Sequence, residues 1–280
     1  MVKSDIQVVI PIYKNSLSAF EKSSVLQCIT ILGDYSIGFI CSNDLDLSYY
    51  KENFSQINNY SFFENKYFET IEGYNQLMLS ASFYKHFKDY RYILIFQTDC
   101  FVFKDDLLAW ANKDYDYIGG LWFKGYDGNL EIGEKPWYPG NGGLSLRKIK
   151  PMIDLFTSKR PLRNWSQLLT EKKIINKGYI FKDMKGAIVL FLNLFGYKNN
   201  SAFSAKQWEK NEDVFFLKMN EVYNRLKVPT VNQAVFFAWD RRPDYLFNMY
   251  KQLPFGCHAW YRADFPYKEN RDFWSNFIEL

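Results

Sequence analysis

This sequence of 280 residues has few of the side chains that build metal centres and disulfide frameworks. It contains two histidines and four scattered cysteines, with no Cys-x-x-Cys pair. This pattern argues against a zinc knuckle and favours a reducing compartment, so we expect a cytoplasmic protein. The start, MVKSDIQVVIPIY, has a short apolar run after an acidic residue, which predicts a first strand and not a secretory signal.

Long apolar runs are also absent. A membrane-spanning helix needs roughly 18 uninterrupted apolar residues, and the longest candidate, Ala187–Phe195, is about half that length. The chain is nevertheless 48% apolar and 20% aromatic, which indicates a folded globular protein. We expect one domain, divided approximately into residues 1–147, 148–210 and 211–280.

The net charge of +4 conceals an uneven distribution. Lys148–Lys210 has 13 basic and 4 acidic residues, hence +9, and the rest of the chain has 22 basic and 27 acidic residues, hence −5. A basic segment is usually a solvated face. The functional alternative is an anionic partner, either a phospholipid surface or a diphosphate-linked acceptor. No nucleic-acid-binding motif accompanies the charge, so no nucleic acid partner is expected.

Strands and helices alternate along the first half of the sequence. Strand patterns cover Gln7–Tyr13, Ser36–Ser42, Arg91–Phe103 and Tyr115–Trp122. Helical patterns start near Leu17, where Ser18 and Glu21 have the spacing of a capping box, cover Glu72–Phe87 and start again near Asp105. Residues 49–68 are poorly periodic and are predicted as loop with short elements. This alternation predicts an α/β fold with a mainly parallel central sheet flanked by helices. The basic segment is predicted as a helical insertion.

Asp99 stands inside the almost unbroken apolar run RYILIFQTDCFVF. Because an unpaired buried carboxylate costs several kcal/mol, we expect Asp99 just past the carboxyl end of a strand. Open α/β sheets bind ligands in the crevice there, where a carboxylate binds a divalent cation or a ribose hydroxyl. The structural alternative is a helix cap or a loop acid. The second acid of an Asp-x-Asp pair is missing, because Phe101 occupies its position.

Two further stretches carry polar groups in suggestive patterns. Gly140–Gly143 has three glycines around Asn141, which predicts a turn that binds a polyol or phosphate, or an ordinary tight turn. The Lys-Ser/Thr ending of a P-loop is missing. Glu212 and Asp213 precede an apolar run. The pair is interpreted either as the N-terminus of a helix or as a site in which one acid is a general base and the neighbouring carboxylate raises its pKa.

Three ring side chains have open interpretations. His258 has three interpretations: a metal ligand, a hydrogen-bond donor to a phosphate group, or a histidine packed in the core. Trp122 and Trp260 either stack on a sugar or pack in the core, as tryptophans usually do.

The segments VVIPIYK, GYNQLMLS, YILIFQTDCFVF, YDYIGGLW, GNGGLSLRK, NEDVFF and LPFGCHAW occur in this order. Together they resemble a bacterial family of GT-A-fold glycosyltransferases, most of whose members are described only as a domain of unknown function. The resemblance runs from about Val8 to Trp260. It implies a Rossmann-like GT-A domain that transfers a sugar from a nucleotide sugar, first of all a UDP-sugar. The acceptor would be a glycan or lipid-linked hydroxyl in surface polysaccharide or glycoconjugate synthesis.

The resemblance also implies roles for single residues. The implied donor-binding residues are Pro11, Tyr13, Lys14, Asn43, Thr98, Asp99, Asn141, Gly142 and Gly143. Asp99 and His258 would hold Mn²⁺ or Mg²⁺, and Asp213 or Glu212 would take the acceptor's proton in an inverting transfer. Without a metal, Lys14 or Arg147 would stabilise the diphosphate. Trp122 and Trp260 would contact the acceptor. Residues 1–147 would then bind the nucleotide sugar, and residues 211–280 would supply the acceptor side.

Other functions are weighed against this one. A non-catalytic carbohydrate- or nucleotide-sugar-binding protein with the same fold is favoured by Phe101 at the second acid position. A nucleotidyltransferase would carry a basic, glycine-rich loop directly after the first strand, and PIYKNSLS does not provide one. The basic segment Lys148–Lys210 also predicts peripheral contact with an anionic membrane.

Overall fold

One sheet organises the molecule. The structure is a computed structural model that describes residues 1–124, 135–175, 184–264 and 267–279, without the side chains of 172–175. The strands are Ile6–Pro11 (β1), Ser36–Ser42 (β2), Asn59–Phe63 (β3), Tyr92–Phe96 (β4), Phe101–Val102 (β5), Tyr117–Phe123 (β6), Pro136–Lys148 (β7), Ala238–Trp239 (β8) and Gly256–Cys257 (β9). Within these ranges they lie side by side in the order β3-β2-β1-β4-β7-β6-β8-β9-β5. Parallel pairs join β3 to β2, β2 to β1, β1 to β4, β6 to β8 and β8 to β9, so the mainly parallel sheet is confirmed.

Helices cover both faces of the sheet. They are Ala19–Leu32 (α1), Ser48–Asn53 (α2), Ile71–Met78 (α3), Ala81–His86 (α4), Leu107–Asn112 (α5), Ile149–Thr157 (α6), Trp165–Ile175 (α7), Met184–Leu194 (α8), Ser201–Lys206 (α9), Glu212–Glu221 (α10), Val231–Ala234 (α11), Pro243–Tyr250 (α12) and Asn270–Trp274 (α13). Lys3–Asp5 and Asn65–Tyr67 are 3₁₀ turns. In β1, Val8 packs in one core cluster with α1, and Val9 packs in the other with α3. Both faces of β1 are therefore buried, which explains its continuous apolar pattern.

The basic segment is helical where it is described, through α6, α7, α8 and α9. No helix in the described ranges combines the length and the apolarity that a bilayer span requires. Residues 176–183, which carry some of the segment's charge, lie outside the described residues.

Local signals predict the helix starts well. Ser18 accepts a hydrogen bond from the Glu21 amide, and the Glu21 carboxylate accepts one from the Ser18 amide, so α1 begins with the predicted capping box. The helical pattern Glu72–Phe87 is interrupted because Ser80 caps a new helix, and it forms α3 and α4. The predicted loop 49–68 contains β3, which pairs in parallel with β2 at the edge of the sheet.

The prediction of a glycine-rich turn at Gly140–Gly143 is wrong. These residues lie inside β7, a strand of 13 residues that pairs antiparallel with β4 and β6. Register shifts interrupt the pairing with β6, so this part of the ladder is irregular. The glycines serve close approach, since a Cβ on Gly142 would collide with Glu212 and one on Gly143 with His258. Neither has a positive φ.

Candidate active site

A cleft of about 650 Å³ opens where β1 and β4 end, within the size range of small-molecule sites. It collects most of the residues that sequence singled out. Those in its lining are Pro11, Tyr13, Lys14, Thr98, Asp99, Asn141, Gly142, Gly143, Glu212, Asp213 and His258. The carboxyl ends of adjacent parallel strands bring the first five together, as in other open α/β sheets.

Asp99 lies just past the end of β4, as predicted. The Gln97 amide still donates to the Gly143 carbonyl (3.0 Å), and the Cys100 amide then donates to the Gln97 carbonyl (2.9 Å). This turn takes Thr98 and Asp99 out of the strand and into the cleft. The Asp99 side chain keeps 18% exposure, so its carboxylate remains accessible to a ligand.

Glu21 links the segments that follow β1 and β4. The Lys14 ammonium contacts its Oε1 at 3.0 Å, and the Thr98 hydroxyl donates to the same oxygen at 3.2 Å. Burial alone would raise the pKa of Glu21, but the Ser18 amide and the Lys14 ammonium lower it below the ordinary value. The carboxylate therefore fixes Lys14, whose side chain stays 51% exposed. Sequence assigned Glu21 only a capping role.

His258 stands between two carboxylates. Its Nδ1 lies 2.7 Å from Asp240 Oδ1, and its Nε2 lies 3.3 Å from Asp99 Oδ1. Burial alone would lower the pKa of His258, but the charge of Asp99 and the hydrogen bond to Asp240 raise it to about 10. Burial conversely would raise the pKa of Asp99, and the charge of His258 holds it below the usual value. The two side chains form an ion pair in the cleft wall.

The same pair suits a divalent cation held jointly with a ligand. Asp99 and His258 offer one carboxylate oxygen and one imidazole nitrogen, and Asp240 orients the ring through Nδ1, as carboxylates do for metal-bound histidines. No group of three or more His, Cys, Asp or Glu side chains suited to a metal occurs in the described ranges. Phe101 is 6% exposed and packs against Trp260, so the second acid position lies in the core. Ligand and water oxygens would have to complete the shell.

The opposite wall carries the acidic pair at the start of α10. Arg147 Nη2 donates to Glu212 Oε1 at 2.9 Å. Asp213 accepts from the Val214 amide (2.8 Å) and from the Gly142 amide (3.4 Å). Burial, followed by the charge of Glu212, raises the pKa of Asp213 well above its usual value. The pair thus divides into a carboxylate anchored by Arg147 and a carboxyl suited to proton exchange.

Arg147 itself lies behind this wall. Its side chain is fully buried, donates to the Tyr84 hydroxyl (3.1 Å) and Ser145 Oγ (3.0 Å), and does not line the cleft. The prediction that it replaces a metal at the diphosphate is therefore wrong. It fixes Glu212 instead.

Three further predicted site residues lie outside the cleft lining. Asn43 is exposed in the turn after β2. Trp122 is 2% exposed, and its indole lies under Gly140 and beside Tyr138. Trp260 is 3% exposed and donates its indole N–H to Ser24 Oγ at 2.7 Å. Neither tryptophan presents a ring face to a sugar, because both are packed in the core.

Sequence missed several groups that complete the site. They are Glu21, Tyr74, Asn75, Gln97, Asp240, Tyr261, Arg262 and Tyr267. Asn75 illustrates the reason: its Oδ1 accepts the Glu212 amide at 3.3 Å across 137 residues of sequence, which no local pattern reveals. A usable signal existed for Asp240, which ends the apolar run VNQAVFFAWD much as Asp99 ends its own.

Residues 58–258 match the model of the family described as "Protein of unknown function (DUF5672)". The chain belongs to this family. The matched region includes Asp99, the acidic pair and His258, whereas Lys14, Glu21 and Arg262 lie outside the matched residues. No curated protein matches this DUF5672 chain.

Solved structures similar to this DUF5672 chain include glycosyltransferases. The galactosyltransferase LgtC, solved with donor and acceptor sugar analogues, has 11% identity and a TM-score of 0.48, over 98% of this chain and 97% of that chain. Mouse xyloside xylosyltransferase 1 has 9% identity and a TM-score of 0.45, over 91% and 96%. S. aureus TarS has 13% identity and a TM-score of 0.35; the match covers 54% of this chain and 29% of TarS.

Proposed function

We propose that this protein is a glycosyltransferase that moves a sugar from a nucleotide sugar, first of all a UDP-sugar, to an acceptor hydroxyl. One observation carries the proposal. Consecutive residues of β7, Gly142 and Gly143, touch the two chemically different walls of the cleft, since Gly143 abuts His258 and Gly142 abuts Glu212 and Asp213. A wall suited to a diphosphate and a wall suited to accepting a proton therefore meet at these two glycines. The Cα atoms of consecutive residues are only about 4 Å apart.

The wall around Asp99 suits the donor's diphosphate. Lys14 and Arg262 bring positive charge to its rim, and Asp99 with His258 would hold a divalent cation. A bound cation would neutralise charge on the leaving diphosphate. Tyr13, 57% exposed on the rim, offers a ring on which a nucleobase can stack.

The reaction would be one displacement. The acceptor oxygen attacks the anomeric carbon while the bond from that carbon to the diphosphate oxygen breaks, and the nucleoside diphosphate leaves with the bonding electrons. Asp213 takes the acceptor's proton, and its raised pKa makes it a stronger base than an ordinary aspartate. Attack from the wall opposite the leaving group inverts the anomeric carbon. Proton NMR of the product would reveal this stereochemistry, and retention would exclude Asp213 as the base.

Acceptor and location follow as parts of the same proposal. Trp122 and Trp260 are buried, so the acceptor subsite falls to the rim segment Tyr67–Ile71, where Ile71 is 71% exposed. A glycan or lipid-linked acceptor used in surface polysaccharide or glycoconjugate synthesis would lie there. The four cysteines are free and buried, which supports a cytoplasmic location.

The donor wall makes a direct prediction. In a thermal-shift screen, one or more nucleotide sugars should raise the unfolding midpoint, because a ligand bound to the native state stabilises it. Asp99→Asn should weaken Mn²⁺-dependent binding of UDP, measured by calorimetry, by at least about tenfold. The matched control is Asp46→Asn, an exposed aspartate in the loop after β2, which should bind as the wild type does. UDP and GDP compared side by side identify the base.

Two outcomes would contradict this part of the proposal. If no nucleotide sugar or nucleoside diphosphate shifts the midpoint, the cleft does not bind a donor of this class. If Asp99→Asn binds like the wild type with Mn²⁺ present, the diphosphate lies elsewhere.

The acidic pair makes a prediction about pH. A base must be deprotonated to act, so kcat/KM should rise with pH through the raised pKa of Asp213. Glu212→Gln removes the charge that raises this pKa and keeps an oxygen for Arg147. The rising limb should therefore move to lower pH. A limb that stays in place in Glu212→Gln, measured from kcat/KM between acidic and neutral pH, would show that Asp213 does not titrate in the reaction.

A non-catalytic nucleotide-sugar-binding protein is the second candidate. The observation in its favour is Phe101, because the core position of this side chain denies the cleft a second carboxylate. Such a protein would bind the donor without hydrolysing or transferring it. Overnight incubation with the donor from the screen, followed by chromatography for released nucleoside diphosphate, separates the two functions.

A further inference from the structure

The outer face of α8 is apolar and exposed in the part of the chain that the structure describes. Met184, Ile188, Phe191 and Leu192 are 80%, 54%, 59% and 39% exposed, and Phe195, one residue past the helix end, is 70% exposed. These five residues, the α8 stripe, repeat at helical spacing and span about 100° of the helix surface. Phe191 and Phe195 pack edge to face on it, with ring centroids 5.2 Å apart.

The opposite face of α8 already contacts the protein. Leu190 and Asn193 are buried there, so the stripe is not required to attach the helix. A helix that is apolar on all sides usually lies inside a protein or a membrane. Here the described residues enclose only one side of α8, which leaves the stripe to another apolar medium.

Basic residues lie close to the stripe in the sequence and in the fold. Lys185 and Lys198 are exposed beside it, and Gly196 packs against the backbone of Lys159, which places exposed Lys159 and Arg160 near Phe195. Tyr197, 48% exposed, has the Lys198 ammonium 5.4 Å from its ring centroid. From Met184 to Lys210 the sequence has four lysines and one glutamate. Apolar and aromatic side chains flanked by lysine and arginine are typical of helices that lie in a lipid interface.

We propose that the α8 stripe docks this protein on the surface of an anionic lipid bilayer. Charge decides between a membrane and a second copy of the chain. A two-fold dimer through the stripe would bring each basic face against its own copy, and like charges would repel. An anionic bilayer attracts the same face, because each basic residue near its surface adds to the electrostatic attraction. The stripe then enters the acyl boundary and the lysines contact the headgroups.

Vesicle sedimentation tests the proposal. The wild type should pellet with vesicles of phosphatidylcholine and about 30% phosphatidylglycerol, more weakly with phosphatidylcholine alone, and less as NaCl rises to about 0.5 M. Phe191→Ser with Phe195→Ser should lower partitioning about tenfold or more. Lys159→Gln and Lys198→Gln should each lower it about fivefold. The matched control, Val222→Ser with Met249→Ser, removes equally exposed apolar residues elsewhere and should pellet as the wild type does.

Several results would overturn the proposal. They are a wild type that does not pellet with anionic vesicles, and a Phe191→Ser, Phe195→Ser variant that pellets equally well. If analytical ultracentrifugation without lipid shows a dimeric wild type and a monomeric variant, the stripe binds a second copy of the chain instead. Circular dichroism and the unfolding midpoint check that every variant is folded. No donor or acceptor enters the assay, so its outcome is independent of the proposed transfer reaction.

Discussion

Replacing Asp213 with asparagine should lower kcat by about 10² to 10⁴, the usual contribution of a general base. The amide keeps the shape of the side chain and an oxygen for the Val214 amide, but it cannot take a proton. Donor affinity should change little, because in the proposed reaction the carboxyl acts on the acceptor's proton. Initial rates at saturating donor, with the acceptor or with water as acceptor, measure the loss.

Stability should move in the opposite direction in this variant. The pKa of Asp213 is higher in the folded state than in the unfolded state, so its stabilising contribution is complete below the unfolded pKa and is lost as pH rises through the folded one. At neutral pH the wild-type carboxyl is therefore a cost to the fold, and Asp213→Asn should unfold at an equal or higher temperature. A slow but well-folded enzyme separates lost chemistry from lost structure.

Glu209→Gln is the matched control for this prediction. Glu209 is an exposed acid three residues before the pair, and its amide variant should keep the wild-type rate. If Asp213→Asn stays within about threefold of the wild type while Glu212→Gln loses activity at unchanged fold, the base is Glu212.

Local patterns predicted the half of the site that depends on strand ends. The apolar run before Asp99 requires a buried strand, and the cost of a buried charge requires the carboxylate to lie beyond it. The capping spacing of Ser18 and Glu21 sets the start of α1, and this fixes the loop that carries Lys14. Each inference uses residues close in sequence, for which propensity and periodicity are informative.

The other half depends on contacts between residues far apart in sequence. Gly140–Gly143 has the composition of a turn, but pairing with β4 and β6 makes it a strand, because tertiary context overrides local preference. His258 contacts Asp99, 159 positions away in the sequence, and the charge of Asp99 raises its pKa. Trp122 and Trp260 were predicted to stack on a sugar, and their burial in the structure shows that this prediction is wrong. Composition alone cannot tell a tryptophan in a cleft from one in a core.

Arg147→Met should destabilise the protein by about 3–5 kcal/mol, the typical effect of removing one partner of a buried ion pair. Glu212 would keep a largely buried carboxylate without its cation, and the Tyr84 hydroxyl and Ser145 would lose hydrogen bonds. Urea unfolding followed by circular dichroism measures the change. The same substitution at Arg91, whose contact with Asp114 is half exposed, should cost no more than about 1 kcal/mol.

A double variant distinguishes a lost pair from lost packing. Arg147→Met combined with Glu212→Gln removes both charges, so it should recover part of the stability that Arg147→Met loses alone. Loss of the guanidinium also removes a positive charge that lowers the pKa of Asp213. If Arg147→Met folds at low temperature, the rising limb of its kcat/KM profile should therefore lie at higher pH than in the wild type. Equal losses in Arg147→Met and Arg91→Met would mean that the buried pair contributes no more than a surface pair. Arg147 would then not be what holds Glu212 beside Asp213.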